Sequence, residues 1–130
     1  MKFRTNGKFK NLPTAVIFDL DNTLYDYNSA HTPSMMAVRK RACDQFGITE
    51  KRYRQELSKA RNKIKVTTGN TAASHNRLLY FHCLCESILG KSSPVLALDY
   101  DDLYWQTFLM NIELYAEARE FINDLQEAGV

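Results

Sequence analysis

Glycine and proline are scarce in this sequence, at 5 and 3 residues in 130. That is too little of either for a fibrous or disordered chain. Cysteine is scarce as well. Cys43, Cys83 and Cys85 make an odd count with no secretory signal ahead of them, which reads as free thiols in a reducing, cytoplasmic compartment. Cys83 and Cys85 lie two apart with no second pair elsewhere, so the spacing favours small buried hydrophobes over zinc ligands. No apolar run approaches the ~20 residues of a membrane span. Lys2, Arg4, Lys8 and Lys10 have no apolar stretch behind them and make no export signal. Repeats and low-complexity segments are missing too. What is present is one ordinary domain's length, with 45% hydrophobic and 25% charged residues. Such a chain can bury roughly two-thirds of its unfolded surface and needs no disulfide staples.

The net charge of +2 hides an asymmetry. Residues 1–65 carry 14 Lys/Arg against 6 Asp/Glu, and residues 66–130 carry 3 against 9. The basic excess runs from Arg39 to Lys65 at spacings that suit a solvated helix face, although such a face also attracts phosphates. No clustered aromatics accompany it to stack on bases, so a nucleic-acid partner is not expected.

Thr14 to Phe18 is a short, continuously apolar, β-branched run behind Pro13. It reads as a strand buried on both faces, as in a parallel sheet covered by helices. It ends at Asp19-Leu20-Asp21-Asn22-Thr23, a run of turn formers. Helices are predicted from a Thr32 cap and Pro33 to Gly47, from a Thr49 cap to about Lys63, from Thr71 to Leu89, from about Asp99 to Ile112, and from Ala116 to Ala128. In the second, Tyr53, Leu57, Ala60 and Ile64 make the apolar face. Trp105, Phe108 and Leu109 read as core, and His31, His75 and His82 show no metal spacing.

Two carboxylates at the carboxyl end of a buried strand are the main chemical signal. Asp19 and Asp21 can face one site, one as a nucleophile and the other as a general acid and base. Paired carboxylates repel unless a cation lies between them, and Mg²⁺ is the natural one. Backbone N–H groups of Leu20, Asn22 and Thr23 can cradle phosphate oxygens, with the side chains of Asn22 and Thr23 holding the turn. Tyr25, Tyr27 and His31 follow directly and are candidates for substrate contact.

Val16-Ile17-Phe18-Asp19-Leu20-Asp21-Asn22-Thr23-Leu24-Tyr25 resembles the first motif of the haloacid dehalogenase-like hydrolases, most of which are Mg²⁺-dependent phosphatases. The stretch from about Thr32 to Asp99 resembles the helical cap that many members insert after this motif. The resemblance implies an α/β fold, a Rossmannoid core with an inserted all-α cap. It divides the chain into the start of the core (1–31), the cap (32–99), and a last cap helix with a return helix (100–130). It implies that Asp19 attacks phosphorus and forms an aspartyl-phosphate, that Asp21 protonates the leaving oxygen and then activates water, and that the Asp19 side chain and the Asp21 carbonyl ligate Mg²⁺. The second Asp distinguishes phosphoryl transfer from dehalogenation, because an alkoxide leaving group needs a proton and a halide does not.

The family's further motifs, a Ser or Thr, a Lys and a second acidic pair, are expected after Val130, where a helix, a Gly stop and a Val read as the approach to another strand. The reading is therefore an N-terminal fragment, inactive alone, of an enzyme for a small phosphate monoester such as a sugar phosphate or nucleotide. A lone apolar strand would leave its edge open to a second copy. A more compact reading places strands at Ile64 to Gly69 and at Val95 to Asp99, with Lys91 between. The alternatives in function are a non-catalytic helical interaction module that retains the motif, and a haloacid dehalogenase-type hydrolase.

Overall fold

The computed structural model describes residues 14–130. Lys2, Arg4, Lys8, Lys10 and Pro13 lie outside the described residues. The described chain forms five α-helices: α1 (Tyr27–Phe46), α2 (Glu50–Thr68), α3 (Arg77–Leu89), α4 (Pro94–Asn111) and α5 (Ala116–Glu127). A single 3₁₀ turn, Ala72–His75, precedes α3.

Among the described residues there is no strand and no sheet. Two isolated bridges, Asp21 to Tyr25 and Tyr25 to Leu114, are the whole of the β-type pairing there. The expected α/β Rossmannoid core is thus overturned, and the fold is all-helical. The reason is pairing. The run from Thr14 to Phe18 has strand composition, but no second strand lies beside it to take its backbone hydrogen bonds. Ile17 is 97% exposed instead of buried. Phe18 packs edge-on against Phe121 of α5, with ring centres 5.8 Å apart. The second copy expected on a strand edge loses its basis with the strand. The compact reading fails as well, since 64–68 belong to α2 and 95–99 to α4.

The chain divides into two compact units, one of residues 30–111 and one in which 14–29 join 112–130. In the first, α3 packs against both α2 and α4. The predicted face of α2, Tyr53, Leu57, Ala60 and Ile64, is its buried face. Burying a large apolar side chain of this kind contributes about 1.5–3 kcal/mol. Thr49 caps α2 as predicted, its hydroxyl accepting from Arg52 N at 3.3 Å. Asn76 caps α3 through Leu79 N at 3.1 Å. Gly90 ends α3 at φ +69°, a left-handed position that favours glycine.

The core of α4 keeps Phe108 of the expected set but not Trp105 or Leu109. Ala97, Tyr100, Tyr104 and Phe108 are buried, whereas Trp105 is 42% and Leu109 66% exposed. The stripe follows four-residue steps through the tyrosines, whose rings pack on Phe81 of α3. The first helix begins at Tyr27, ahead of the predicted cap at Thr32. Asn22 Oδ1 accepts from Tyr27 N, and Asp26 Oδ1 from Asn28 N, both at 3.1 Å. These acceptors start the helix early and leave Pro33 inside it, where its missing N–H forfeits the bond to the Ser29 carbonyl.

In the other unit, Tyr115 N donates to Leu24 O at 2.9 Å, tying the turn after Asp19 to the segment that leads into α5.

Candidate active-site turn

Leu20 is the pivot of the turn. Its carbonyl accepts from Thr23 N at 3.2 Å and from Leu24 N at 2.9 Å. Asn22 takes the left-handed conformation at φ +60°. Asn tolerates this region better than most residues because its short polar side chain bonds locally, here to Tyr27 N. The tight turn leaves Asp19 and Asp21 both exposed, and each is held by a hydroxyl four residues ahead. Thr23 Oγ1 donates to Asp19 Oδ2 at 3.1 Å. Tyr25 Oη donates to Asp21 Oδ1 at 2.5 Å.

Tyr25 is buried at 7% exposure. Burial first, and the adjoining Asp21 carboxylate second, push its phenol up to about 12, so the proton stays on Tyr25. Tyr25, expected as a substrate contact, is buried with its hydroxyl on Asp21. Tyr27 opens α1 through its backbone N–H. His31 belongs to the helical unit, where its Nδ1 lies 2.8 Å from Tyr104 Oη.

The turn suits a divalent cation. Its donors are hard oxygens, and among the described residues no Lys or Arg pairs with Asp19 or Asp21.

Two further groupings escaped the sequence reading. Cys83 Sγ, a His82 ring nitrogen and a Glu86 carboxylate oxygen lie within 4.8 Å of one another on α3. Their i, i+1, i+4 spacing was the available signal. His82 Nε2 also meets Ser92 Oγ at 2.9 Å, and Lys63 holds Glu86 at 3.4 Å. The second is basic. Arg39, Arg54 and Arg61, read as part of a solvated face, line one groove with His31.

Comparison with known proteins adds one point. The chain is 38% identical over 120 residues to a ribulose-1,5-bisphosphate 5-phosphatase of Halopiger xanaduensis. The match takes in 92% of this chain and 50% of that protein, so the chain spans about half the length of the curated relative it matches. No protein-family model matches the chain, and no solved structure does. None of the helices is long and apolar enough to cross a membrane, among the described residues.

Proposed function

We propose that this chain carries the nucleophile-bearing turn of a Mg²⁺-dependent phosphohydrolase of the haloacid dehalogenase-like type, acting on a small sugar phosphate. One observation carries the reading: the turn presents two exposed carboxylates, each positioned by its own hydroxyl donor. The likeness to a bisphosphate 5-phosphatase across 120 residues supports a phosphorylated small molecule as the substrate.

Asp19 is the nucleophile. One of its carboxylate oxygens attacks phosphorus, and the P–O bond to the leaving alkoxide breaks. Thr23 Oγ1 holds the other oxygen, Oδ2, and so fixes the direction of attack. Asp21 gives its proton to the leaving oxygen, then takes one from the water that hydrolyses the aspartyl-phosphate. Tyr25 holds Asp21 Oδ1, which leaves Oδ2 for that transfer. The Asp19 carboxylate and the Asp21 backbone carbonyl would hold Mg²⁺, which when bound offsets charge on the phosphoryl oxygens. The Thr23 N–H is taken by the Leu20 carbonyl, so the cradle would fall to the backbone N–H groups of Leu20 and Asn22.

The test is trapping of the intermediate. The 130-residue chain incubated with acetyl phosphate and Mg²⁺, then reduced with borohydride, should yield homoserine at position 19. Reduction at another carboxylate, or incorporation indifferent to Mg²⁺, overturns the reading.

A further inference from the structure

Four buried tyrosines lie in the helical unit and a fifth, Tyr25, in the turn, and the fate of their hydroxyls differs at one position only. Tyr25 meets Asp21, Tyr80 meets the Ser74 carbonyl, Tyr100 meets Gln45 at 2.9 Å, and Tyr104 meets His31 at 2.8 Å. Tyr53 is 2% exposed, and its hydroxyl has no hydrogen-bond partner. Nearby, Arg61 Nε is likewise buried and unpartnered. An unsatisfied buried donor is destabilising, so two in one place call for a reason.

Both residues line the same groove, of about 340 Å³, between α1 and α2. Arg39 and Arg54 line it as well. These two share a single carboxylate oxygen, Glu50 Oε2, at 3.3 and 3.5 Å. Three guanidiniums against one carboxylate leave a net charge of two, which matches a dianion. Met35, Met36 and Leu57 supply apolar lining beside the cations. The volume falls in the range of small-molecule sites.

We propose that this groove binds a small phosphate ester, its phosphoryl group on Arg39, Arg54 and Arg61 with Tyr53 as a donor, and its organic part on Met35, Met36 and Leu57. Guanidinium forks match phosphate oxygens geometrically, and the Tyr53 phenol, held protonated by burial, can only donate to an anion. Reaching Tyr53 Oη and Arg61 Nε takes a side-chain rearrangement in the groove. The methionines of the groove are a residue type that rearranges at small cost. The site belongs to the helical unit and stands whether or not the Asp19 turn transfers a phosphoryl group.

Calorimetric titration of the full chain without Mg²⁺ tests it, with phenyl phosphate, inorganic phosphate and phenol as probes. Phenyl phosphate should saturate one site and bind more tightly than inorganic phosphate, with phenol silent. Arg61→Gln should weaken phenyl phosphate about ten- to a hundredfold, the worth of a charge-assisted hydrogen bond. Tyr53→Phe should weaken it about tenfold while leaving the unliganded chain at least as stable, since it removes a polar atom that has no partner. Asp19→Asn should bind as the parent does, which separates this site from the active-site turn. Four results overturn the proposal: no saturable binding, equal affinity for inorganic phosphate, unchanged affinity in both groove variants, or loss of binding in Asp19→Asn.

Discussion

The Tyr25 hydroxyl reaches back four residues to Asp21 Oδ1, at 2.5 Å, from a side chain that is itself buried. Asp19, two residues away, is held by the exposed hydroxyl of Thr23 at 3.1 Å. The two carboxylates of one turn thus sit against unequal donors, and unequal surroundings are what allow like groups to take different roles.

Tyr25→Phe isolates that difference. It keeps the buried ring and removes the donor. Asp21 is exposed, so water replaces the lost bond, and the cost should be near the net value of one hydrogen bond, about 1 kcal/mol. Urea denaturation measures it. A loss above about 3 kcal/mol would mean that the hydroxyl supports the fold more than it orients the carboxylate.

Asp19→Asn and Asp21→Asn should part company in a beryllofluoride titration with Mg²⁺, followed by fluorine NMR. An amide at position 19 is too weak a ligand and nucleophile to stand in for the carboxylate, so the bound signal should vanish. At position 21 the proposed metal contact is the backbone carbonyl, so the signal should persist. In a form that turns over, Asp21→Asn should still lose about 10²–10⁴ in rate through proton transfer alone. Equal binding loss in both variants would refute the division of labour.

Asn22 does two jobs, and two substitutions separate them. Asn22→Ala loses the acceptor for Tyr27 N and puts a Cβ without polar compensation at φ +60°. Asn22→Gly loses the acceptor alone. The alanine variant should be the less stable by about 1–2 kcal/mol, the cost of left-handed backbone for an ordinary residue. A thermal melt in which glycine is equal to or worse than alanine would show that the turn is not held at that backbone angle in solution.

The sequence was most legible where one helix carries one period. Tyr53, Leu57, Ala60 and Ile64 announce the buried face of α2, and Thr49 its start, because cap and stripe are local properties of the chain. It misled at Thr14 to Phe18. Strand composition states only that a run suits a sheet, and pairing requires a partner that local sequence does not specify. In α4 the aromatics are dense enough for two registers, and contact with Phe81 selected the tyrosine stripe over Trp105 and Leu109. The pairing of Asp19 and Asp21 on one turn was visible in their spacing, but the donors from Thr23 and Tyr25 were not, since both depend on how tightly the turn closes. The arginine groove was invisible for a similar reason. Charges spaced along two helices look like a solvated face until those helices pack.

Three buried tyrosines should make the fold sensitive to alkaline pH. Burial is the first cause that raises the phenols of Tyr25, Tyr53 and Tyr100 above their ordinary value of 10.0, Tyr25 to about 12 and the other two further. A raised folded value means that the unfolded chain releases these protons first. Their contribution to stability is therefore complete below about pH 10 and is lost as pH rises through the folded values. In that window each such tyrosine should steepen the fall in unfolding free energy by up to about 1.4 kcal/mol per pH unit. Urea denaturation at a series of alkaline pH values should show the decline, and tyrosinate absorbance should rise with unfolding rather than ahead of it for these three of the seven tyrosines. Tyr53→Phe removes one proton from the balance and should flatten the decline, with little change in stability near neutral pH. An unchanged slope in that variant, or tyrosinate that forms fully in chain still folded by circular dichroism, would show that Tyr53 is open to solvent.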